Sequence, residues 1–368
     1  MKNYPLIFLF LITIFACEQQ KSDQVEPKFD RFEIKRGTNL SHWLSQSSKR
    51  GNEREAYITR DDFEYISELG FDHVRIPIDE EQMWNEAGDR ESAAFLLLDS
   101  ALNWAYDNNL RAIVDLHILR SHHFNAEEKP LWTDTTEQEQ FIDLWRDLSA
   151  ALNKWPETMV AYELMNEPVA DDPELWNNLV ARAVTAIREL EPTRKIVIGS
   201  NRFQSAHTFD ELKIPEADTN VVLSYHFYEP FLLTHYQASW TFLKDYQGPV
   251  QYPGELIPTD VWGDISADYQ QRLSNLKDKT YDKEMLKSMM AKPLNKAKNT
   301  GLILFCGEFG VIDNAPREDM LNWYRDMIAV FDENNVAYAN WDYKSNNFGL
   351  VNTEGEPDQE LIDIVLGK

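Results

Sequence analysis

Two glutamates, each following a largely apolar run, are the residues of this sequence best suited to catalysis. Glu167 follows the run 160–165, and Glu308 follows the run 302–306. Short runs of this kind predict buried strands, so both carboxylates are expected at strand ends. If the two strand ends open into one cleft, the carboxylates form the pair that cleavage of a glycosidic bond requires.

The elements that must position this pair are eight short β-like runs that alternate with longer helical stretches. Alternating strands and helices predict a parallel sheet, and eight such units predict a closed (β/α)8 TIM barrel of the α/β class, forming a single catalytic domain. An aromatic and proline-rich segment at about 229–265 predicts an elaborated loop on the catalytic face. The predicted strands are 34–41, 73–78, 112–117, 160–165, 195–200, 221–228, 302–307 and 337–341.

Polar or aromatic residues end most of these strands. A barrel of this type builds its active site at the C-terminal ends of its strands, so such residues indicate function more strongly there than in a helix. Taken singly, each has a structural explanation, such as an internal ion pair or packing. Together they favour one shared site, and the residues are Arg75, His117, Asn166, Glu167, His226, Tyr228, Glu308 and Trp341.

From about residue 37 to 341 the chain resembles glycoside hydrolase family 5, the cellulase-type retaining β-glycanases. The most specific element is Asn166-Glu167-Pro168. The resemblance implies that Glu167 is the acid/base and Glu308 the nucleophile. It also implies substrate-binding or orienting roles for Arg75, His117, Asn166, His226, Tyr228 and Trp341.

Chemical reasoning assigns the same roles to the two carboxylates. Glu167 must be protonated to donate to the leaving oxygen, and repulsion from an ionised Glu308 is expected to raise its pKa. Arg75 and the Tyr228 hydroxyl are suited to stabilise the Glu308 carboxylate. Glu163 has the strand parity of Glu167, which predicts a buried partner for an arginine or histidine.

Five further residues are weaker candidates for sugar contact. His42, Trp43 and Trp132 either contact sugar or pack in the structure, and His122 and His123 are expected to line the glycone side of the cleft. Adjacent histidines fit a single tetrahedral metal site poorly, and no His-Glu-x-x-His pattern is present. We therefore predict no metal and no cofactor.

The charge of the chain restricts its partners. Asp and Glu number 62 against 36 Lys and Arg, for a formal charge of −26. This opposes binding to nucleic acid and suits a neutral polysaccharide, although a solvated acidic surface explains most of the charge equally well.

The N-terminus predicts export. Residues 1–16 have a short basic start and an apolar stretch too short to span a bilayer comfortably, which is typical of a signal peptide. The segment ending at Cys17 resembles a bacterial lipobox, which implies a lipid anchor on a periplasmic or cell-surface protein; an ordinary cleaved signal is the alternative. Residues 17–31 then form a flexible tether and 32–368 the barrel domain. Cys306 lacks a partner, so no internal disulfide is expected.

Together these features predict a monomeric retaining hydrolase of β-linked glucan, with an endo-β-1,4-glucanase favoured. A β-mannanase or a β-1,3-glucan hydrolase is the alternative within the family, because selectivity lies in loops. A non-catalytic, glycan-binding surface lipoprotein and a metallohydrolase are the alternatives from other classes.

Overall fold

A closed parallel barrel is the core of the molecule. The computed structural model describes residues 24–215 and 218–368; the predicted signal segment and Cys17 lie outside the described residues. The barrel order is β1-β10-β9-β6-β5-β4-β3-β2, which confirms the predicted (β/α)8 fold, while β7 and β8 pair separately as an antiparallel ribbon. The strands are β1 (Arg36–Asn39), β2 (His73–Asp79), β3 (Arg111–Ile118), β4 (Val160–Glu163), β5 (Ile196–Gly199), β6 (Val221–Phe227), β7 (Gly254–Glu255), β8 (Thr280–Tyr281), β9 (Ile303–Phe309) and β10 (Ala337–Asn340).

Helices follow the barrel strands and cover their outer faces. They are α1 (Gly51–Glu55), α2 (Arg60–Leu69), α3 (Glu80–Met83), α4 (Ser92–Asp107), α5 (Thr135–Leu152), α6 (Pro173–Leu190), α7 (Asn201–Gln204), α8 (Phe231–Thr234), α9 (Ala267–Arg272), α10 (Lys283–Met289), α11 (Ala291–Thr300), α12 (Arg317–Asn334) and α13 (Gln359–Val365). Short 3₁₀ turns occur at Pro130–Trp132, Ala206–Glu211, Trp262–Asp264 and Ser274–Leu276.

The side-chain alternation of each strand separates the core from the site. In β3, Val114 and Leu116 pack under the helices, whereas Asp115 and His117 face the barrel interior. This follows from the two-residue period of a strand. An apolar layer fills the interior below the polar residues; it consists of Phe32, Ile113, Ala161, Val197, Val222, Phe305, Ala337 and Ala339.

Two helix tryptophans attach the helical layer to the strand ends that carry the site. Trp145 of α5 donates its indole N–H to Leu164 O at 2.9 Å, and Trp176 of α6 donates to Gly199 O at 2.9 Å. Both indoles are buried. Burial of a large apolar side chain contributes roughly 1.5–3 kcal/mol, and the two hydrogen bonds fix the chain just beyond β4 and at the last residue of β5.

Two peripheral segments complete the described chain. Of the predicted tether, residues 24–31 lie against the barrel, because Val25 N donates to Lys154 O at 2.8 Å and Lys28 Nζ to Tyr106 O at 2.7 Å. The excursion between β6 and β9 contains its own buried aromatic residues, Tyr246 and Tyr252. None of the helices within 24–215 and 218–368 has the length and hydrophobicity needed to cross a membrane.

Candidate active site

Glu308, near the end of β9, is held by two donors, one in β2 and one directly after β6. Arg75 Nη1 donates to its Oε1 at 2.8 Å, and the Tyr228 hydroxyl donates to its Oε2 at 3.0 Å. The residue is only 5% exposed. Both carboxylate oxygens are thus fixed, and only a small part of the group is accessible to solvent. A carboxylate held in this way is oriented for attack on a neighbouring carbon.

A β-bulge at Gly307 directs Glu308 into the barrel. Tyr225 pairs with Cys306, but the next residue, His226, pairs with Glu308, so Gly307 has no partner in the ladder. A bulge of this kind re-aims the side chains that follow it. Glycine suits the position because a Cβ there would lie 3.0 Å from Ser224 Oγ and 3.3 Å from His226 Nε2.

Glu167 lies beyond the end of β4, opposite Glu308. Its backbone is left-handed, with φ of 45°. His226 lies between the two carboxylates, with Nδ1 at 3.0 Å from Glu167 Oε1 and 3.5 Å from Glu308 Oε2. One oxygen of each glutamate and a ring nitrogen of His226 all lie within 4.8 Å of one another. This short separation between the two carboxylates matches the close pair of a retaining glycosidase. In an inverting enzyme the carboxylates are farther apart, which leaves room for a water molecule.

A fully buried arginine supports the whole site. Arg75 contacts Glu163 through Nε at 2.7 Å, Asp115 through Nη2 at 3.0 Å and Glu308 through Nη1 at 2.8 Å. A buried charge is tolerated only when it is paired in this way. Glu163 is thus the buried ion-pair partner expected from its strand parity.

The environment of the two glutamates separates their protonation states. Burial, followed by repulsion from Glu308, raises the pKa of Glu167 well above its ordinary value. Burial also raises the pKa of Glu308, but Arg75 and the Tyr228 hydroxyl oppose this effect. Of the two carboxyl groups, Glu167 therefore keeps its proton to the higher pH, and Glu308 is the first to ionise. Burial is the larger cause, whereas charge repulsion was the cause expected from the sequence.

Comparison with known proteins agrees with this geometry. The family model described as Cellulase (glycosyl hydrolase family 5) matches residues 33–347. The chain belongs to glycosyl hydrolase family 5. Endoglucanase C of Acetivibrio thermocellus is 34% identical over 342 residues, which cover 90% of this chain and 98% of that protein. Cellodextrinase A of Ruminococcus flavefaciens is 28% identical over 308 residues, covering 83% of this chain and 84% of that protein.

Solved structures show the same fold. A hyperthermophilic endo-β-1,4-glucanase in complex with substrate has a TM-score of 0.73 at 23% identity, covering 91% of this chain and 97% of its own. Thermotoga maritima Cel5A in complex with mannotriose has a TM-score of 0.72 at 23% identity, covering 90% and 97%. These likenesses show the fold, and the family match together with the 34% identical endoglucanase makes the chain a glycoside hydrolase.

In this family 5 hydrolase, the predicted orienting residues gather around the carboxylate pair. Asn166 Oδ1 accepts from Arg75 Nη2 at 3.0 Å, which leaves the amide N–H groups as its donors. His117 Nδ1 contacts Asp115 Oδ2 at 2.6 Å, and its ring stacks on Trp341 at 5.7 Å between centroids. Burial lowers the pKa of His117 to about 4, so its ring is neutral at neutral pH.

Of the weaker candidates, His42 and His123 retain solvent-accessible surface. The side chain of His42 is 37% exposed, and its ring centroid lies 6.3 Å from that of Trp341. His123 is exposed and stacks on Phe124. These two sugar contacts stay predictions.

The other three weaker candidates, Trp43, Trp132 and His122, are buried among residues of the fold. Trp43 is fully buried and donates its indole N–H to Arg54 O, while Trp132 packs edge-on against Trp176. His122 is 1% exposed, and its Nε2 accepts from Val169 N at 3.1 Å. The contacts of these three rings are with the fold itself, which favours the packing alternative for Trp43 and Trp132. The pKa of His122 is lowered to about 3 by burial, which keeps Nε2 available as an acceptor beside the Glu167 turn.

Two residues of the site were not identified as site residues from the sequence. Asn39 accepts from Arg75 Nη1 at 2.9 Å and donates to Gly307 O at 2.9 Å, which ties β1 to the bulge. Asp115 contacts both Arg75 and His117. Two signals in the sequence could have identified these residues. Asn39 ends β1, and Asp115 has the strand parity of His117, which faces the barrel interior. Asp342 follows Trp341 through a cis peptide bond, and the hydroxyl groups of Ser41 and Ser345 donate to its carboxylate.

Proposed function

We propose that the chain is an endo-β-1,4-glucanase that cleaves by double displacement with retention of configuration. The observation that carries the proposal is the 4.8 Å grouping of the Glu167 and Glu308 carboxylates around His226. Relatives that match 90% of the chain are named endoglucanases, which supports the substrate.

In the first half-reaction, Glu308 attacks the anomeric carbon while Glu167 gives its proton to the leaving oxygen. The C1–O bond to the leaving sugar breaks, and an ester bond forms between C1 and Glu308. Arg75 and the Tyr228 hydroxyl hold the attacking carboxylate. The free amide N–H of Asn166 is assigned to the sugar 2-hydroxyl, a contact that strengthens at the oxocarbenium-like transition state.

The second half-reaction uses the same two residues. Esterification removes the charge of Glu308, so the repulsion that raised the pKa of Glu167 disappears while Arg75 stays positive nearby. The pKa of Glu167 falls, and its carboxylate takes a proton from the water that attacks C1. Trp341 provides the apolar face for the sugar ring during both steps.

The alternatives differ from the proposal in substrate or in chemistry. A β-mannanase or a β-1,3-glucan hydrolase would use the same carboxylates, and the solved Thermotoga maritima neighbour holds mannotriose. The three ligand atoms around His226 would also suit a metal ion in a metallohydrolase. A glycan-binding lipoprotein would bind the polysaccharide without cleaving it.

A substrate panel tests the proposed function. Purified protein should release reducing ends from carboxymethylcellulose and mixed-linkage glucan faster than from mannan or laminarin, and a chelator should leave the rates unchanged. Faster release from mannan or laminarin would replace the glucanase assignment, and loss of activity in chelator would favour the metallohydrolase. Binding without release from any polysaccharide would favour the binding protein.

We also propose that residues 1–16 direct export, that Cys17 carries a lipid anchor, and that the protein is a monomer with the barrel domain at 32–368. The support is the basic start, apolar run and Cys17 of the sequence. Mass spectrometry of the mature protein should find a diacylated N-terminus at Cys17; an unmodified N-terminus elsewhere would contradict the anchor.

A further inference from the structure

Three of the four residues of α7, the short element after β5, have a left-handed backbone, so this element is a turn and not a right-handed helix. The φ angles are 57° at Arg202, 64° at Phe203 and 50° at Gln204. Residues with a Cβ enter this region singly, because the Cβ approaches the following carbonyl oxygen. A run of three persists only where surrounding contacts enforce it, and such strain concentrates at functional sites.

The contacts that enforce this turn attach it to the segment carrying Glu167. Phe203 N donates to Pro168 O at 3.2 Å, and Gln204 Nε2 donates to Glu163 Oε1 at 3.1 Å. The Asn201 side chain exchanges two hydrogen bonds with the backbone of Ala170, at 2.8 and 2.9 Å. The turn is therefore fixed relative to the proton donor.

The strained turn leaves a large apolar side chain in solvent. Phe203 is 42% exposed and belongs to none of the apolar clusters formed by the described residues. Packing therefore gives no reason for a phenylalanine there. An aromatic ring exposed beside a sugar-cleaving site is suited to stack on the apolar face of a pyranose.

The location of Phe203 identifies the sugar that it would contact. Glu167 protonates the glycosidic oxygen, so the first leaving-group sugar begins at that oxygen. Phe203 follows β5, which neighbours β4 and the Glu167 segment after it, whereas Trp341, the proposed contact for the sugar being cleaved, follows β10 and is separated from β5 by β6 and β9. The ring is thus on the leaving-group side of the cleavage point.

We propose that Phe203 forms the contact surface for the first glucosyl residue of the leaving group, and that the left-handed turn exists to present it. This inference rests on the proposed glucanase function. It makes Phe203 a determinant of how strongly the enzyme prefers a polymer to a substrate with a small leaving group.

Two substrates with the same glycone separate this role from a structural one. Asparagine tolerates the left-handed conformation, so Phe203→Asn removes the ring and keeps the turn. We expect kcat/KM on cellotetraose to fall about tenfold. The kcat/KM on β-cellobiosyl fluoride should be unchanged, because fluoride is too small to contact the ring. Phe203→Trp keeps an aromatic ring and should therefore cleave cellotetraose at about the wild-type rate.

Arg202→Asn is the matched control. It alters the same turn, and the Arg202 side chain makes only a 3.7 Å ion pair with Asp171, so both rates should stay at the wild-type value. Equal losses on both substrates in Phe203→Asn, or no loss on either, would overturn the inference while leaving the glucanase function intact. A wild-type protein that cleaves neither substrate would overturn the proposed function, and this inference with it.

Discussion

Glu308→Gln should lower kcat on cellulose oligosaccharides by on the order of 10⁴-fold or more, the scale of losing a covalent nucleophile. An amide oxygen is a poor nucleophile toward the anomeric carbon, so the ester intermediate cannot form. Glutamine has nearly the same shape and can still accept from Arg75 and contact Tyr228, so the fold and the binding of oligosaccharide should persist. Steady-state kinetics and calorimetric titration with cellotetraose measure the two properties.

Glu80→Gln provides the control for this experiment. Glu80 is another buried carboxylate paired with an arginine, since Arg120 Nη1 lies 2.8 Å away, but it is outside the carboxylate pair. The Glu80→Gln variant should keep most of its activity on cellulose oligosaccharides. Substantial hydrolysis by Glu308→Gln would contradict the nucleophile assignment, and wild-type protein that binds without cleaving would favour the glycan-binding alternative.

Glu167→Ala should lower kcat/KM by about 10²–10⁴-fold on cellulose oligosaccharides, because the leaving oxygen of a sugar needs a proton. The loss should be much smaller on 2,4-dinitrophenyl β-cellobioside, whose phenolate leaves without protonation. Deglycosylation also loses its base, so the ester should accumulate in a burst. Added azide should then accelerate turnover and yield the β-glycosyl azide.

The pH profile gives an independent test of Glu167. Because burial and Glu308 raise its pKa, Glu167 is protonated below that raised pKa and loses its proton as the pH rises through it. Wild-type kcat/KM should therefore fall on the alkaline side, and this decline should be absent from Glu167→Ala with the dinitrophenyl substrate. An unchanged alkaline limb, or an α-glycosyl azide product, would be incompatible with the assigned role.

The barrel and most of the carboxylate site were predictable from the sequence. Most of the barrel strands lie in short, largely apolar runs, and the C-terminal ends of parallel strands converge at one face, so polar residues at those ends must meet. Arg75 and Tyr228 were expected to contact Glu308, and both do. These features depend on the hydrophobic period of the strands and on their order along the chain, and the sequence shows both directly.

The features that escaped prediction are local backbone conformations that contacts with distant parts of the chain impose. Strict alternation along β9 would put Glu308 on the outer face with Cys306; the bulge at Gly307 reverses it. His122 looked like a cleft residue, but the loop after β3 folds back and buries it against Val169. The left-handed turn at Phe203 lacks the glycine that usually predicts such a conformation. Each outcome is decided by tertiary contacts.

The stereochemistry of the first product tests the central claim most directly. Proton NMR during the first turnovers of cellopentaose should show new reducing ends as the β-anomer, with the α-anomer appearing only later by mutarotation. Two displacements at C1 predict this order. An initial α-anomer would mean a single displacement by water, and the covalent role of Glu308 would be contradicted.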